Sequence, residues 1–297
     1  MKARFKTQGA CDALSDAELE LLATYCDKKA LGFNAQHLLE SVKVEQIKKG
    51  ANSQVKKIDI GSDSLIVKKY YRSDEDSRDR FQAEWSFTRF LWQQDVRQVA
   101  EPLACIKQDA LAAYKFITGQ PITEALAEHV SDALQFLAQI NQHRALAKNI
   151  GFASEAGVSA QHYIDGLNAR VERLMAQDIK SEVDRQARSF VKARLAPRAQ
   201  SLIKDINFDV VGEYCLSPSD YGFHNALATE QGTYFFDFEY AGWGDPAKLV
   251  ADFLLQPQVS LSKAYYHSTI RSVCKWLDDP DAFLNRLPWV LKWAQLK

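Results

Sequence analysis

Between residues 44 and 71, hydrophobic and polar positions alternate with the period of two that is typical of strands. Three such runs, VEQIKKG, QVKKIDI and SLIVKKYY, are separated by the turn-rich segments GANS and GSDS, and they predict an antiparallel meander. A helical spacing of apolar residues then predicts a long helix from about Glu75 to Gln93. Two further runs, PLACIKQ and LAAYKFI, predict two more strands that end before Gly119.

The rest of the chain has mainly helical patterns. A capping box formed by Ser15 and Glu18 predicts a helix through about Lys28, and a second helical pattern covers 34–41. After Pro121 the patterns predict helices over 122–144, 159–176 and 181–206, the last kinked at Pro197. Two apolar runs, VVGEYCL and TYFFDFEY, flank the polar segment SPSDYGFHN, and helices rich in Trp and Tyr follow from Asp245.

This order of elements predicts an α+β fold with a small sheet-containing domain followed by a larger helical one. The predicted boundaries give an N-terminal helical extension over 1–43, a first domain over 44–119 and a second over 120–297. A chain of 297 residues is long enough for two domains.

Composition and charge exclude several classes of protein. The formal net charge of −1 gives no basic field for a nucleic-acid partner. The first ten residues lack the apolar core of a secretory signal, and no run approaches the ~18 apolar residues of a membrane span. The five scattered cysteines have no metal-ligand spacing and are interpreted as reduced thiols. We therefore predict a cytoplasmic protein without a membrane span.

The segments SPSDYGFHNAL and YFFDFEYAGWGDP are the candidates for a functional site. Both have acidic residues beside apolar runs, where an isolated carboxylate is energetically costly and a cation is expected to compensate it. Asp220 and Asn225 are five residues apart in a predicted loop, and Asp237 follows a predicted hairpin. A carboxylate and an amide oxygen suit magnesium, which fills its octahedron with water and phosphate oxygens. Asp220 would then be free to engage a hydroxyl, as phosphoryl transfer requires.

The pattern DxxxxN, followed by an apolar run ending in DFE and then by GWGDP, resembles the aminoglycoside phosphotransferase and choline kinase families, which are relatives of protein kinases. The resemblance implies a two-lobed, protein-kinase-like α+β fold that holds ATP, or GTP, and magnesium. It implies that Asp220 is the catalytic aspartate, and that Asn225 and Asp237 bind the metal.

By the same resemblance, a lysine at the end of the third strand would hold the nucleotide phosphates. Lys68 has this position; Lys69 is the competitor, on the opposite strand face. Glu84, on the following predicted helix, would pair with Lys68, although an exposed helix glutamate is the alternative interpretation.

Further nucleotide contacts are predicted from position alone. In the segment GANS, backbone N–H groups of Gly50, Asn52 and Ser53 would cradle phosphate oxygens, and an ordinary hairpin turn explains the same residues. Lys115 and Ile117 would form a hinge whose backbone binds adenine, although any strand joining two lobes has this pattern.

One departure from the family pattern precedes the catalytic aspartate: Pro218 stands where the family often has histidine. Proline fixes φ and would replace a hydrogen bond that orients the backbone. His224 is either a structural histidine or a substrate contact. Glu239 follows Asp237 by two residues, is expected to share its strand face and is a candidate supporting residue for the metal. Asp245 and Asp252 are expected to cap and anchor the next helix.

The predicted function is transfer of the γ-phosphoryl group of ATP to a hydroxyl of a small molecule. DFEYAGWGDP leads almost directly into a helix, which leaves little room for a peptide platform. Aminoglycosides, choline-like cations and sugars remain open as acceptors. Two alternatives are a pseudokinase that binds nucleotide without turnover, and a kinase that acts on a protein or a lipid-linked saccharide.

Overall fold

The computed structural model describes residues 14–29, 42–50, 52–72 and 78–296. These residues form two compact units. The first contains the described residues up to Gly119 together with Tyr234–Glu239, and the second contains Gln120–Thr233 and the residues from Tyr240 onward. The boundary predicted after residue 119 puts Tyr234–Glu239 in the second domain, whereas in the structure this segment, which carries Asp237, belongs to the first unit.

An antiparallel sheet with the strand order β1-β2-β3-β5-β4 organises the first unit. The period-two alternation explains this sheet, because successive side chains of each strand contact opposite layers. Each of the five predicted strands is present, with ends that differ from the prediction by a few residues. The strands are β1 (Val42–Lys49), β2 (Ser53–Ile60), β3 (Asp63–Tyr70), β4 (Pro102–Ile106) and β5 (Leu111–Lys115).

Helix α1 (Asp16–Lys28) covers one face of this sheet. The predicted capping box is present: Ser15 Oγ accepts a hydrogen bond from the Glu18 N–H, and Glu18 accepts one from the Ser15 N–H. Leu21 and Leu22 are fully buried in the core that α1 forms with the strands. The helix predicted over 34–41 lies outside the described residues.

Helix α2 (Arg80–Gln93) packs on the other side, where Phe81 and Trp85 contact Tyr70 and Tyr114 of the sheet. The helix begins later than the predicted Glu75, which lies outside the described residues. Asp79 sets the start, because its carboxylate accepts a hydrogen bond from the Gln82 N–H at 2.9 Å.

Two buried phenylalanines anchor the segment Tyr234–Glu239 in the first unit. The Phe235 N–H donates to the Gln98 carbonyl at 2.8 Å, and the Phe238 ring lies 5.4 Å from the Phe87 ring of α2. Asp237 lies between these anchors with φ of 67°, outside any regular strand. The strand predicted from TYFFDFEY therefore ends at Phe235, and Asp237 has a left-handed backbone conformation.

The second unit is mainly helical. The predicted helix over 122–144 begins only at Ala127, and the predicted helix over 181–206 contains a π-helical stretch, Val191–Leu195. This irregular stretch precedes Pro197, which has no N–H to donate within the helix. The helices are α3 (Ala127–Gln142), α4 (Ala160–Ala176), α5 (Glu182–Phe190), α6 (Ala196–Lys204), α7 (Pro246–Leu254), α8 (Tyr266–Cys274) and α9 (Pro280–Leu296).

Short strands support the loop between the two apolar runs. Strand β7 (Cys215–Ser217) pairs antiparallel with β10 (Gly242–Gly244), and β6 (Gln120–Pro121) pairs antiparallel with β8 (Ala226–Thr229). Strand β9 (Gly232–Phe235) carries the chain from the second unit into the first. Across the described ranges, none of the helices has the length and apolar character needed to cross a membrane.

Candidate active site

Lys68 is the centre of a buried lysine–carboxylate cluster in the first unit, which consists of Lys68, Glu84, Asp237 and Glu239. Its Nζ lies 2.7 Å from Glu84 Oε2 and 3.8 Å from Glu239 Oε2, and it donates a short hydrogen bond to Asp237 Oδ1. Three carboxylates therefore face one ammonium group. The pairing of Lys68 with a helix glutamate, expected from the sequence, is present in the structure.

Burial and charge act against each other in this cluster. Burial alone would lower the pKa of Lys68, but Glu84, Asp237 and Glu239 together hold its pKa above the usual value. Burial raises the pKa of Glu84, although Lys68 opposes this effect. The pKa of Glu239 is raised by burial as well, and Asp237 adds to the increase. The lysine is therefore held in its charged form, while burial disfavours the charged forms of Glu84 and Glu239.

One carboxylate oxygen in the cluster is left without a hydrogen bond. Glu239 Oε2 is buried and has no hydrogen-bond partner among the described residues, and Lys68 Nζ lies 3.8 Å from it. Glu239 and Asp237 were predicted to share a strand face, but their segment is not a strand. The backbone is left-handed at Asp237, and both carboxylates lie near Lys68. An excess of buried negative charge and an unsatisfied oxygen fit a site for an additional cation.

The loop between β1 and β2 is tied to the same cluster. Asn52 Nδ2 donates to Glu239 Oε1 at 3.1 Å. The Gly50 N–H, however, donates to the Ser53 carbonyl at 3.0 Å and closes the hairpin. Ser53 is buried and pairs with Tyr70 across the sheet. The Gly50 N–H therefore closes an ordinary hairpin turn, which was the alternative interpretation of the segment GANS. Asn52 contacts the cluster through its side chain.

The remaining nucleotide candidates lie elsewhere in the first unit. Lys69 lines a cavity on the α1 side of the sheet together with Glu18 and Lys56, away from the cluster. The exposed Lys115 donates its backbone N–H to the Glu101 carbonyl at 2.9 Å. Ile117 follows β5 in a segment without regular structure and is half-buried. The structure thus separates Lys69 from Lys68, as strand alternation predicts.

Asp220 lies in the second unit, in the aspartate loop, which we define as Ser217–Asn225. Asn225 Nδ2 donates to the Asp220 carbonyl at 3.1 Å and approaches Asp220 Oδ2 at 3.4 Å. His224 Nε2 lies 3.3 Å from Asp220 Oδ1. The Asp220 side chain is 55% exposed, whereas that of His224 is 14% exposed. The loop therefore has one accessible carboxylate, that of Asp220, whereas the side chains of His224 and Asn225 are largely shielded from solvent.

Serine hydroxyls hold the backbone that precedes Asp220. Ser219 has φ of 68°, and its N–H donates to Ser217 Oγ at 3.0 Å. Its own Oγ donates to the Ser154 carbonyl at 3.2 Å. Pro218, between these two serines, is the residue predicted to replace the histidine that the family often has. The segment SPSD thus fixes the turn before Asp220 through serine side chains and the restricted φ of proline.

Asn141 of α3 connects the start of this loop to the helical core. Its Nδ2 donates to the Leu216 carbonyl at 3.1 Å, and its Oδ1 accepts from the Leu216 N–H at 2.9 Å. Asn141 is buried, so these two bonds satisfy both backbone groups of one residue in β7. At the other end of the loop, Gln256 Oε1 accepts from the Phe223 N–H at 2.7 Å.

A protein-family model matches the part of the chain that contains both groups of residues. Residues 43–265, more than half of the chain, match the model described as the phosphotransferase enzyme family. The chain belongs to this family. The match covers both the lysine–carboxylate cluster and the aspartate loop, and the family resemblance predicted from the DxxxxN and DFE motifs is confirmed. No curated protein matches the chain.

Solved structures with the same fold are distant in sequence. A spectinomycin phosphotransferase in complex with ADP and spectinomycin is 16% identical, with a TM-score of 0.52 over 85% of this chain and 92% of that chain. A choline kinase from Cryptosporidium parvum is 14% identical, with a TM-score of 0.56 over 93% of this chain and 86% of that chain. The predicted kinase-like α+β fold is confirmed for this phosphotransferase family member.

A third neighbour is an aminoglycoside phosphotransferase, APH(4)-Ia, in a ternary complex with AMP-PNP and hygromycin B. It is 16% identical, with a TM-score of 0.53 over 86% of this chain and 84% of that chain. At such identities the likeness concerns the fold alone.

Two acidic residues after the DFE motif are structural in this phosphotransferase family member. Asp245 caps α7, since its Oδ1 accepts from the Ala247 N–H at 2.9 Å, and it also accepts from the Tyr163 hydroxyl at 2.8 Å. Asp252 was expected to cap or anchor the same helix. It lies inside α7 and forms an ion pair with Lys248 of the same helix, one turn away, so it does not cap the helix.

Sequence reasoning missed two tyrosines beside the cluster. Tyr70 lies two residues after Lys68 and hence on the same face of β3, with the Lys68 Nζ 5.0 Å from the centre of its ring. Its hydroxyl lies 3.0 Å from that of Tyr114. The period-two rule could have identified Tyr70 as a neighbour of Lys68, but the position of Tyr114 depends on the register between β3 and β5, in which Ile66 is opposite Tyr114.

Proposed function

We propose that this phosphotransferase transfers the γ-phosphoryl group of ATP to a hydroxyl group of a small molecule, and that it requires magnesium. The observation that carries the proposal is the lysine–carboxylate cluster, in which three carboxylates share one lysine. A triphosphate with its magnesium ion would add negative charge beside Lys68 and positive charge beside the carboxylates. Phosphoryl transfer depends chiefly on this kind of positioning and charge stabilisation.

Lys68 would bind phosphate oxygens while Glu84 fixes its position. Because the lysine is buried and held in its charged form, its ammonium group is well suited to a polyanion. The same ammonium group contacts Asp237, which we propose as a metal ligand. Lys68 and Asp237 would therefore bind the phosphates and the metal ion side by side.

The carboxylates of the first unit suit a magnesium ion, because Asp237 and the unsatisfied Oε2 of Glu239 supply oxygens of the kind that the ion prefers. Asn225 carries an amide oxygen, which is also a suitable ligand. When bound, magnesium would neutralise phosphate charge. Asp237 and Asn225 are the proposed metal ligands, and Glu239 supports Asp237 from the same turn.

Asp220 is the proposed catalytic residue. Its carboxylate is accessible while the neighbouring polar side chains are buried, which favours contact with an acceptor. The acceptor oxygen would form a bond to the γ-phosphorus as the bond from that phosphorus to the β,γ-bridging oxygen breaks. The hydroxyl proton would pass to Asp220, and ADP would leave with the electron pair of the broken bond.

The acceptor is proposed to be a small molecule. The solved neighbours include complexes with spectinomycin and hygromycin B, together with a choline kinase and a Plasmodium vivax ethanolamine kinase, which is 12% identical with a TM-score of 0.54 over 86% of this chain and 74% of that chain. Aminoglycosides, amino alcohols and sugars are therefore the classes to test first.

The decisive experiment measures magnesium-dependent ADP release over a panel of these compounds. We expect release with at least one acceptor, and a loss of about a hundredfold or more in kcat for Asp220→Asn with nucleotide affinity retained. Asp178→Asn is the matched control, because the Asp178 side chain is 83% exposed in the same unit. Native turnover in Asp220→Asn would remove Asp220 from its role. Nucleotide binding without turnover on any acceptor would favour the pseudokinase alternative.

A further inference from the structure

Gln256 lies two residues beyond the end of α7 and joins this helix to the aspartate loop through its side-chain amide. The residue is buried, with 4% of its surface exposed. Its Oε1 accepts a hydrogen bond from the Phe223 N–H at 2.7 Å, and its Nε2 donates one to the Phe253 carbonyl at 2.9 Å. If the amide were turned over, its NH2 group would face an N–H and its oxygen would face a carbonyl. Only one orientation of Gln256 therefore forms both bonds.

The Phe223 N–H begins a short helical turn, Phe223–Asn225. The N–H groups at the start of a helical turn have no partner within it, and a side chain of the preceding residue usually caps one of them. Here the preceding residue is Gly222, which has no side chain to do so. Phe223 is fully buried, so water cannot replace the missing cap. Gln256 thus supplies, from 33 residues further along the chain, the cap that the loop itself lacks.

Two aromatic contacts hold the same part of the loop on α7. The Phe253 ring lies 5.7 Å from the Phe223 ring, edge to face, and stacks on the Tyr221 ring at 5.3 Å. Both loop residues are buried, whereas the Asp220 side chain is 55% exposed. The rings therefore fix the inner side chains of the loop, while Gln256 binds its backbone.

We propose that Gln256 is a positioning residue, whose amide holds the turn that carries Asn225 and thereby sets Asn225 against Asp220. This inference rests on the proposed function, in which Asn225 binds magnesium and Asp220 contacts the acceptor. Asn225 is the last residue of the capped turn, and its Nδ2 donates to the Asp220 carbonyl at 3.1 Å. A displaced turn would therefore move both the proposed metal ligand and the backbone of the proposed catalytic residue.

Two substitutions separate the hydrogen bond to the loop from the packing of the side chain. Gln256→Met is similar in size but leaves both the Phe223 N–H and the Phe253 carbonyl without a partner. Gln256→Glu keeps an oxygen that accepts from the Phe223 N–H, whether the carboxyl group is ionised or protonated. If the cap is what matters, the Glu variant recovers the function that the Met variant loses, in spite of the cost of a buried carboxyl group.

The experiment compares the full native chain with Gln256→Met, Gln256→Glu and a matched control, Tyr266→Phe. The Tyr266 hydroxyl donates to the Leu254 carbonyl at 3.0 Å, so the control loses a hydrogen bond at the same end of α7 but keeps the bond to the loop. Hydrogen exchange of the Phe223 amide and the NMR signals of the Asn225 side-chain amide would be recorded without nucleotide. Steady-state kinetics over a range of magnesium concentrations would use the acceptor identified in the panel, and calorimetry would measure nucleotide affinity without magnesium.

We expect faster exchange at Phe223 in Gln256→Met, by about tenfold or more, and shifted Asn225 signals. The kcat should fall about tenfold to a hundredfold, because a small displacement of a catalytic group is costly. The magnesium concentration for half-maximal activity should rise, while nucleotide affinity without magnesium stays native, since Lys68 lies in the first unit. Gln256→Glu should recover most of the kcat, and Tyr266→Phe should keep the native values throughout.

Native exchange at Phe223 together with native kcat in Gln256→Met would overturn the proposal, as would an equal loss of kcat in Tyr266→Phe. If Gln256→Met does not fold, Gln256→Glu decides: a protected Phe223 amide with a lost kcat contradicts the positioning role, and a protected amide with a retained kcat supports it. Faster exchange and shifted Asn225 signals in Gln256→Met, without turnover in any of the proteins, support the positioning role and contradict the proposed function.

Discussion

The imidazole of His224 occupies the space that a side chain at Gly222 would need. A Cβ atom at Gly222 would lie 2.8 Å from His224 Nδ1 and 3.0 Å from Gln256 Oε1. His224 Nε2, on the other edge of the ring, lies 3.3 Å from Asp220 Oδ1. The absence of a side chain at one loop residue thus lets the histidine lie beside the proposed catalytic aspartate.

Replacing Gly222 by Ala should therefore displace the imidazole and impair turnover. We expect a fall in kcat of at least about tenfold, because small errors in the position of a catalytic group are costly, and a loss of about 1–3 kcal/mol of stability from overpacking. Turnover on the acceptor identified in the panel and urea unfolding would measure both effects.

Gly212→Ala is the control for this substitution, because no atom lies within 4 Å of a Cβ built at Gly212 in the same unit. Adding His224→Ala to Gly222→Ala should restore part of the stability without restoring turnover. Equal turnover in Gly222→Ala and Gly212→Ala would show that the position of the imidazole is irrelevant to the reaction.

Removing the cation of the lysine–carboxylate cluster should destabilise the first unit. In Lys68→Met, the buried carboxylates of Glu84 and Glu239 and the half-buried carboxylate of Asp237 lose their shared partner, and the loss of stability should reach about 3 kcal/mol near neutral pH. The pKa of Glu84 is already raised by burial and would rise further without Lys68. Because protonation removes the buried charge, the loss should be larger at high pH than at low pH.

Urea unfolding of Lys68→Met at several pH values, with nucleotide titration alongside, would check this prediction. Lys69→Met provides the comparison, since Lys69 lies on the other face of the same strand. Its stability should remain within about 0.5 kcal/mol of the native value, and nucleotide binding should persist. A Lys69→Met variant that fails to bind nucleotide while Lys68→Met binds it would reverse the assignment of the two lysines.

The sheet of the first unit could be predicted because it depends on local periodicity, whereas the pairing of Lys68 with Glu84 was implied by the family resemblance. Alternation along β3 separates Lys68 from Lys69 without knowledge of the rest of the fold. The start of α2 was less predictable, since the segment RSDEDSRDRF offers several capping side chains and only the structure selects Asp79.

Contacts between distant segments could not be predicted in the same way. Asp237 was assigned to the second domain because chain order does not reveal that Phe235 and Phe238 are buried in the first unit. Glu239 was predicted to lie on the same strand face as Asp237, but Asp237 has a left-handed conformation and strand alternation does not apply there. The two tyrosines were missed because their contact depends on strand register.

Asn141 should be essential for holding the start of the aspartate loop. Replacing it by Ala leaves both the N–H and the carbonyl of Leu216 without their partner in a buried strand. We expect a loss of about 2–4 kcal/mol in the free energy of unfolding, from two unsatisfied backbone groups. The kcat should fall more than the affinity for nucleotide, because the substitution lies in the second unit and Lys68 in the first.

Denaturant unfolding and steady-state kinetics of Asn141→Ala would test this expectation. Gln142→Ala is a suitable control, because Gln142 is the exposed last residue of the same helix. Native stability in Asn141→Ala would mean that the two bonds to Leu216 contribute little to the loop.

The attachment of α1 should depend on pH through Glu18. Burial acts to raise the pKa of Glu18, but the hydrogen bonds from Lys56 and Ser15 outweigh burial and hold the pKa below its usual value. A carboxyl group with a lowered pKa in the folded state stabilises the fold above its ordinary pKa, and this contribution is lost as the pH falls through the folded value. The native chain should therefore lose stability between about pH 5 and pH 3.

Glu18→Gln removes this titration together with the buried ion pair to Lys56, whose Nζ lies 2.7 Å from Glu18 Oε1. We expect the variant to be about 2 kcal/mol less stable near neutral pH, and the difference from the native chain to shrink steadily as the solution is acidified. Hydrogen exchange of the α1 amides, combined with urea unfolding, would locate the loss in this helix. Glu20→Gln, an exposed change on the same helix, should keep the native pH profile. If Glu18→Gln and Glu20→Gln have the same profile, the capping box and its lysine do not govern the docking of α1.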